Sequence, residues 1–214
     1  MQFHLISLFP KAFDSYLGES ILKRAIEDKK IKVSIYNPRD FVENKWKRVD
    51  RPPYGGGPGL VIEAEPVAAA IAKAMAGRRR QDVKIIFLSP RGKQFTNEYA
   101  KKSAKKYKNV ILVCGRYEGI DARIKKIFKL EEISVGPFVL TGGELPAMII
   151  IDVISRQVPG ILGNIDSLEE RRIASGDVYT RPEVFKYKGK SYRVPKILLS
   201  GHQAKIEEWK RKKN

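Results

Sequence analysis

Two turns in the middle of the chain carry the residue types that bring backbone against a bound molecule. The first is Cys114-Gly115-Arg116-Tyr117-Glu118-Gly119-Ile120-Asp121. The second runs from Ser134 through Gly136, Gly142 and Gly143 to Ala147. Such turns, set beside apolar and β-branched residues, are where α/β proteins present main-chain groups to a ligand. Neither matches a nucleotide-binding loop. Two further glycine clusters fail the same comparison. Tyr54-Gly55-Gly56-Gly57-Pro58-Gly59 follows a polar segment instead of a strand, and Pro58 removes a donor that a phosphate cradle would use. Gly92-Lys93 resembles the tail of a phosphate loop, yet Phe87 occupies the first glycine position and Gln94 replaces the Ser/Thr. No His-x-x-x-His or Cys-x-x-Cys spacing occurs, so no structural zinc site is expected. His4 and His202 stand alone and are assigned structural roles, because a histidine base needs partners.

The elements that must position these turns alternate between strand and helix. Phe3 to Phe9 and Ile31 to Tyr36 are expected strands, with an amphipathic helix from Phe13 to Ile26 between them. Pro66 marks the start of a second helix that Gly77 closes. Val83 to Leu88 and Val110 to Cys114 are near-continuous apolar runs of strand length, the pattern of parallel strands buried on both faces. Gly143 to Gln157 is expected to be helical, with Pro159-Gly160 as its stop. The alternation predicts an α/β fold with a parallel sheet wrapped by helices. From Ile161 to Thr180 periodicity is lost, which reads as a linker, and helix returns near His202 to Lys212. The expected organisation is an α/β domain over 1–160, a linker over 161–180 and a short basic domain over 181–214.

Composition sets limits on function. The chain has 214 residues and is 43% hydrophobic, enough for a packed core. Its apolar runs are too short for a signal peptide or a membrane span, so no membrane association is expected. A single cysteine excludes a disulfide framework and fits a reducing cytoplasm. The net charge of +18 points to a polyanionic partner. From Arg181 to Asn214 eleven Lys/Arg stand against three Asp/Glu, a net +8. Phe185, Tyr187, Tyr192 and Trp209 interleave with these charges, as on a surface that meets sugar-phosphate and bases.

Eight separated motifs then share an order and spacing with one family. They are Ile6 to Pro10, Pro38 to Phe41, Tyr54 to Gly59, Leu88-Ser89-Pro90, Cys114 to Asp121, Leu140 to Ala147, Tyr179 to Pro182 and Leu198 to Gly201. Across nearly its whole length the chain resembles the bacterial tRNA (guanine-N1)-methyltransferase family TrmD, of the SPOUT superfamily. The resemblance implies an α/β sheet with a deep trefoil knot, a small, mostly helical C-terminal domain, and a homodimer whose active site forms between subunits. It implies methyl transfer from S-adenosylmethionine to N1 of the guanosine at position 37 of tRNA, with Mg2+ as a possible requirement. The implied cofactor residues are Leu88, Ser89, Pro90, Gly115, Tyr117, Glu118, Gly119, Val135, Gly136, Pro137, Phe138, Val139, Leu140, Gly142, Gly143 and Pro146.

Guanine N1 carries a proton and is a poor nucleophile until a base removes it, after which charge accumulates on O6. Arg156 matches the family's arginine and is expected to stabilise that charge. The base is where the chain departs from the pattern, since Arg171 stands where the family has an aspartate, and an arginine accepts no proton at neutral pH. Glu170 and Asp177 are the candidate replacements. Pro137 is a second departure, at a position where the family has an aspartate. The C-terminal part ends soon after Trp209, so its grip on tRNA is expected to lean on Lys210 to Lys213. A catalytically silent tRNA-binding relative and a SPOUT methyltransferase acting on another RNA site are the other readings left open.

Overall fold

A computed structural model describes residues 1–162 and 177–212. Contacts divide the chain into two compact units, Met1–Leu162 and Gly163–Asn214. The first contains β1 (Gln2–Ile6), α1 (Asp14–Leu17), α2 (Ser20–Glu27), β2 (Lys32–Tyr36), β3 (Asp50–Arg51), β4 (Val61–Ile62), α3 (Ala64–Met75), β5 (Val83–Gln94), α4 (Asn97–Lys106), β6 (Asn109–Val113), α5 (Arg123–Ile127), β7 (Glu131–Ser134) and α6 (Glu144–Arg156). Five of the strands form one sheet in the order β2-β1-β6-β5-β7, all parallel.

The alternation of side chains along these strands divides the core into two layers. Phe3, Leu5, Ile86, Leu88, Val110 and Leu112 face α2, α4 and α6, where Leu22, Ala25, Ala100, Ile150, Ile151 and Ile154 complete the packing. Ile6, Val83, Ile85, Ile111 and Val113 face α3 and α5, against Val67, Ala70, Ile71, Ala74 and Ile124. Every residue of β6 is buried, as its central place in a doubly covered sheet requires.

The predicted first helix is in fact two. Gly18 ends α1, where an added Cβ would lie 2.6 Å from the Asp14 carbonyl oxygen, and α2 restarts at Ser20 with φ of 50°. β7 was absent from the sequence reading because its Glu-Glu-Ile-Ser has no apolar run.

His4 is fully buried in β1, with Nε2 3.1 Å from Asn109 Oδ1 and Nδ1 3.3 Å from the Tyr36 hydroxyl. Burial lowers its pKa below the ordinary imidazole value of 6.5. The hydrogen bond that the ring gives to Asn109 Oδ1 opposes this, and the charges of Arg78 and Lys32 add to the lowering. The unfolded chain therefore binds a proton near pH 6.5 that the folded chain refuses, and the stability present above that pH is lost as pH falls through it. Unfolding free energies measured at about pH 7.5 and about pH 5.5 are expected to differ more in the wild type than in His4→Gln. Equal differences would contradict this.

In the second unit, β8 (Val184–Tyr187) and β9 (Lys190–Arg193) form an antiparallel hairpin, followed by α7 (Lys196–Leu199) and α8 (Gln203–Lys212). The hairpin adds two strands, and α7 an earlier helix, to a part expected to be mostly helical with helix returning near His202. The alternation of Val184 to Tyr187 was masked by its charged residues. No side chain among residues 177–212 is fully buried. Most of the expected linker, residues 163–176, lies outside the described residues, and Glu170 and Arg171 with it. Among the described residues no helix is long and apolar enough to cross a membrane.

Candidate active site

Three segments at the carboxyl ends of β5, β6 and β7 line one cleft of about 460 Å³. This is the edge at which parallel sheets receive ligands, and the volume suits a compact organic molecule. The first segment is a bulge inside β5. Leu88 and Lys93 both pair with Ile133 of β7, so Ser89 to Gly92 are looped out of the ladder. Gly92 closes the bulge against β7, where an added Cβ would lie 2.4 Å from the Ile133 nitrogen and 2.5 Å from the Glu132 carbonyl carbon. Both are backbone atoms, so no rotamer change relieves the clash. Gly92→Ala is expected to cost about 1–3 kcal/mol of stability by overpacking and to open the cleft. Denaturant unfolding with ligand titration checks this, and wild-type values for both would contradict it.

The second segment follows β6. Tyr117 and Gly119 take positive φ, 58° and 119°, and fold the chain back so that Gly119 N–H donates to the Arg116 carbonyl at 2.9 Å. Glu118 N–H donates to Leu60 O, and Ile62 N–H to Gly119 O, each at 3.0 Å. The third segment follows β7, where the Ser134 hydroxyl donates to the Gly136 carbonyl at 2.8 Å. It returns beside the second, with Gly143 N–H donating to Gly115 O at 3.0 Å and a bridge pairing Arg116 with Gly142. A Cβ on Gly143 would lie 2.6 Å from Cys114 Cα, so glycine lets α6 begin directly against the end of β6.

Below the cleft an ion-pair network ties these ends together. Glu144, the first residue of α6, is 3% exposed. Its Oε1 accepts from Ser7 Oγ at 2.7 Å, and its Oε2 lies 2.9 Å from Arg116 Nε, close enough for an ion pair without the alignment of a hydrogen bond. Arg116 also donates from Nη1 to Thr141 O at 3.2 Å, and its guanidinium sits 4.5 Å from the Phe9 ring centroid. Ser7 Oγ in turn accepts from Phe9 N–H at 3.0 Å. Cys114 lies beside this network. Burial pushes its thiol well above the ordinary value, and the nearby Glu144 charge adds to this, so it is held neutral and is no nucleophile.

The residues expected to hold a cofactor come together here. Leu88 to Pro90, Gly115, Tyr117 to Gly119, Val135, Gly136, Phe138 to Leu140, Gly142, Gly143 and Pro146 all line the cleft, whereas Pro137 does not. Arg91, Arg116, Lys125, Glu132 and Thr141 also line it and were missed. Lys125 Nζ pairs with Glu132 Oε1 at 2.5 Å and lies 5.5 Å from the Phe87 ring centroid. Arg116, between two glycines already singled out, carried a signal that could have found it; Glu132 carried none. Arg156 is the last residue of α6, partly exposed, and does not line the cleft. Asp177 lies in the second unit and is exposed. Among the described residues no group of three or more His, Cys, Asp or Glu could hold a metal ion.

Fold and cleft together define an α/β protein with a cleft, sized for a compact organic molecule, at the carboxyl edge of a parallel sheet. The chain belongs to the tRNA (guanine-1)-methyltransferase family TrmD, whose sequence model matches residues 1–214. A relative named tRNA (guanine-N(1)-)-methyltransferase from Clostridioides difficile (strain 630) is 44% identical over 218 aligned residues, covering 100% of this chain and 92% of the relative. Relatives of the same name from Desulforamulus reducens and Thermomicrobium roseum are 42% and 45% identical. They cover 100% and 99% of this chain, and 84% and 78% of their own lengths.

Proposed function

We propose that this protein transfers the methyl group of S-adenosylmethionine to N1 of the guanosine at position 37 of tRNA. The observation that carries the reading is the convergence of three separate glycine-bearing segments on one cleft, in a chain whose family is named for guanine-1 methylation of tRNA. The chemistry of the cleft fits the donor. Leu88, Ile133, Val135, Leu140 and Pro146 offer an apolar slot for an adenine, and the main chain around Gly115 and Gly136 offers edge donors and acceptors. Glu118, Glu132, Tyr117 and Phe138 bring carboxylates and aromatic rings to a cation, and the donor is a sulfonium. When bound, that sulfonium supplies an activated methyl group.

The protein's own residues would then manage the guanine. A carboxylate from Glu170 or Asp177 takes the N1 proton, and the Arg156 guanidinium stabilises the charge that develops on O6. Because Arg156 lies outside the cleft lining, the proposal includes a homodimer in which the site is completed across the subunit interface, on a knotted SPOUT scaffold in the cytoplasm. The domains follow the same plan, with 1–160 holding the donor, 161–180 as linker and 181–214 holding tRNA. Glu170→Gln and Asp177→Asn separate the two bases, and the true base is expected to lose turnover by about 10²–10⁴-fold. Undiminished turnover in both would overturn the assignment.

The test of the function is nucleoside mass spectrometry of tRNA transcripts carrying guanosine or adenosine at position 37, after incubation with methyl-labelled S-adenosylmethionine. Labelled 1-methylguanosine in the first transcript alone is the expected result. No labelled nucleoside, or a label at another site, would overturn it.

A further inference from the structure

The β8–β9 hairpin presents a row of aromatic rings whose surroundings match single-stranded RNA. Phe185 pairs directly with Tyr192 across the hairpin, and Tyr187 pairs with Lys190. Directly paired and alternate residues share a face, so the three rings and Lys190 stand on one side, while Val184, Lys186, Ser191 and Arg193 stand on the other. The rings form a continuous patch. Phe185 and Tyr187 lie nearly parallel, at 11° with centroids 6.3 Å apart, and Phe185 and Tyr192 are 6.4 Å apart. Each is more than half exposed: Phe185 56%, Tyr187 54% and Tyr192 53%.

The hairpin is shaped independently of any large core. Its two-residue turn, Lys188-Gly189, has positive φ at both positions, 47° and 77°, the pattern of a tight turn that matches strand twist. Three rings clustered and open on so small an element mark a binding face. The charge identifies the partner. From Val184 to Arg193 there are four cations (Lys186, Lys188, Lys190 and Arg193) and no acidic residue. Lys188 Nζ lies 5.5 Å from the Tyr187 ring centroid. A greasy protein surface would not call for so many cations on the same short hairpin as the rings. Flat bases on a polyanionic backbone require both, with stacking from the rings and phosphate neutralisation from the Lys and Arg side chains.

We propose that Phe185, Tyr187 and Tyr192 form a stacking platform for unpaired nucleotides of the tRNA, with Lys188 and Lys190, the cations on the ring side, meeting its phosphates. The proposal rests on the functional reading above and adds to it the part of the RNA that this hairpin holds: bases free of a duplex.

The test measures affinity for the position-37 guanosine transcript across a salt series, using full-length protein. Phe185→Leu combined with Tyr192→Leu keeps apolar, strand-compatible side chains and removes the ring faces. Its tRNA affinity is expected to fall about 5- to 100-fold with the salt slope, S-adenosylmethionine affinity and kcat at saturating tRNA unchanged. Tyr192→Phe keeps the ring and is expected to retain affinity. Lys190→Gln is the opposite case and is expected to reduce the salt slope by about one. On the unaltered protein, an oligouridine is expected to shift the ring-proton resonances of Phe185 and Tyr187, and a duplex RNA of equal length is not. Wild-type affinity in the leucine pair, or equal ring shifts with duplex, would overturn the platform while methyl transfer persists and the functional reading stands. A fall in affinity that comes with a lower salt slope would also overturn it, since the rings would then only position the cations. A wild-type protein that binds no tRNA overturns both.

Discussion

Glu144→Ala is expected to destabilise the first unit by about 3–5 kcal/mol, the range for breaking a buried ion pair by removing one partner. For a unit of this size that lowers the melting temperature by roughly 10 °C. The effect is large because the carboxylate has two bound partners and almost no access to water. Its loss leaves Ser7 Oγ without its 2.7 Å acceptor and leaves the Arg116 guanidinium with no counter-charge in a site where that side chain is 24% exposed. The consequence reaches the cleft directly. Arg116 and Thr141 line it, and Arg116 holds the Thr141 carbonyl at 3.2 Å. Ligand affinity is therefore expected to fall with stability, to a degree that Glu144→Gln moderates, because the amide oxygen still accepts from Ser7. Pairing Glu144→Leu with Arg116→Met removes both charges and is expected to recover part of the stability. Chemical denaturation of the four proteins checks the cycle. A loss below about 1 kcal/mol for Glu144→Ala, in the range of an exposed pair, would contradict the network.

Arg156→Ala is expected to have the larger effect on activity and almost none on donor binding. A donor aimed at an oxygen that becomes charged only as the N1 proton leaves contributes mainly to the transition state, and removing one such group costs about 10²–10³ in kcat. Arg156 does not line the cleft, so S-adenosylmethionine affinity is expected to stay at the wild-type value. The arginine also ends α6, where a cation stabilises the helix dipole by about 0.3–1 kcal/mol. That is too little to explain a hundredfold loss of turnover. Arg156→Lys keeps the charge without the planar fork and is expected to fall between the two. Single-turnover kinetics with calorimetric donor binding separate the terms. Unchanged kcat, or a parallel loss of donor affinity, would contradict the assignment.

What the sequence revealed, and what it hid, follows from the range of the interactions involved. Val83 to Leu88 and Val110 to Cys114 announced buried parallel strands because burial on both faces forces a continuous apolar run, and the structure pairs them as β5 and β6. The glycine-bearing turns were legible because Gly115, Gly119, Gly142 and Gly143 mark backbone turns within short stretches of chain. Contacts between distant residues left no such trace. Gly92 read as the tail of a failed phosphate loop; its reason is the backbone of Glu132 and Ile133, some forty residues away. The apolar run ends at Leu88 and so does the expected strand, whereas the ladder resumes at Lys93 after the bulge. Arg116 and Glu144 are separated by α5, β7 and the loops that join them, and neither residue type predicts the other. The rings and cations of Phe185 to Arg193 were legible as a surface for sugar-phosphate and bases, but not as a hairpin, because the charged residues break the apolar alternation that marks a strand.

The central claim is that the segments Leu88 to Arg91, Gly115 to Gly119 and Val135 to Gly143 jointly hold the methyl donor. A crystal structure of the protein with S-adenosylmethionine tests it most directly. The expected result is the adenosyl group between these three segments, contacting main-chain atoms of each, with its sulfonium near a carboxylate or ring of the cleft. A donor bound elsewhere, or one touching fewer than all three segments, would contradict the account.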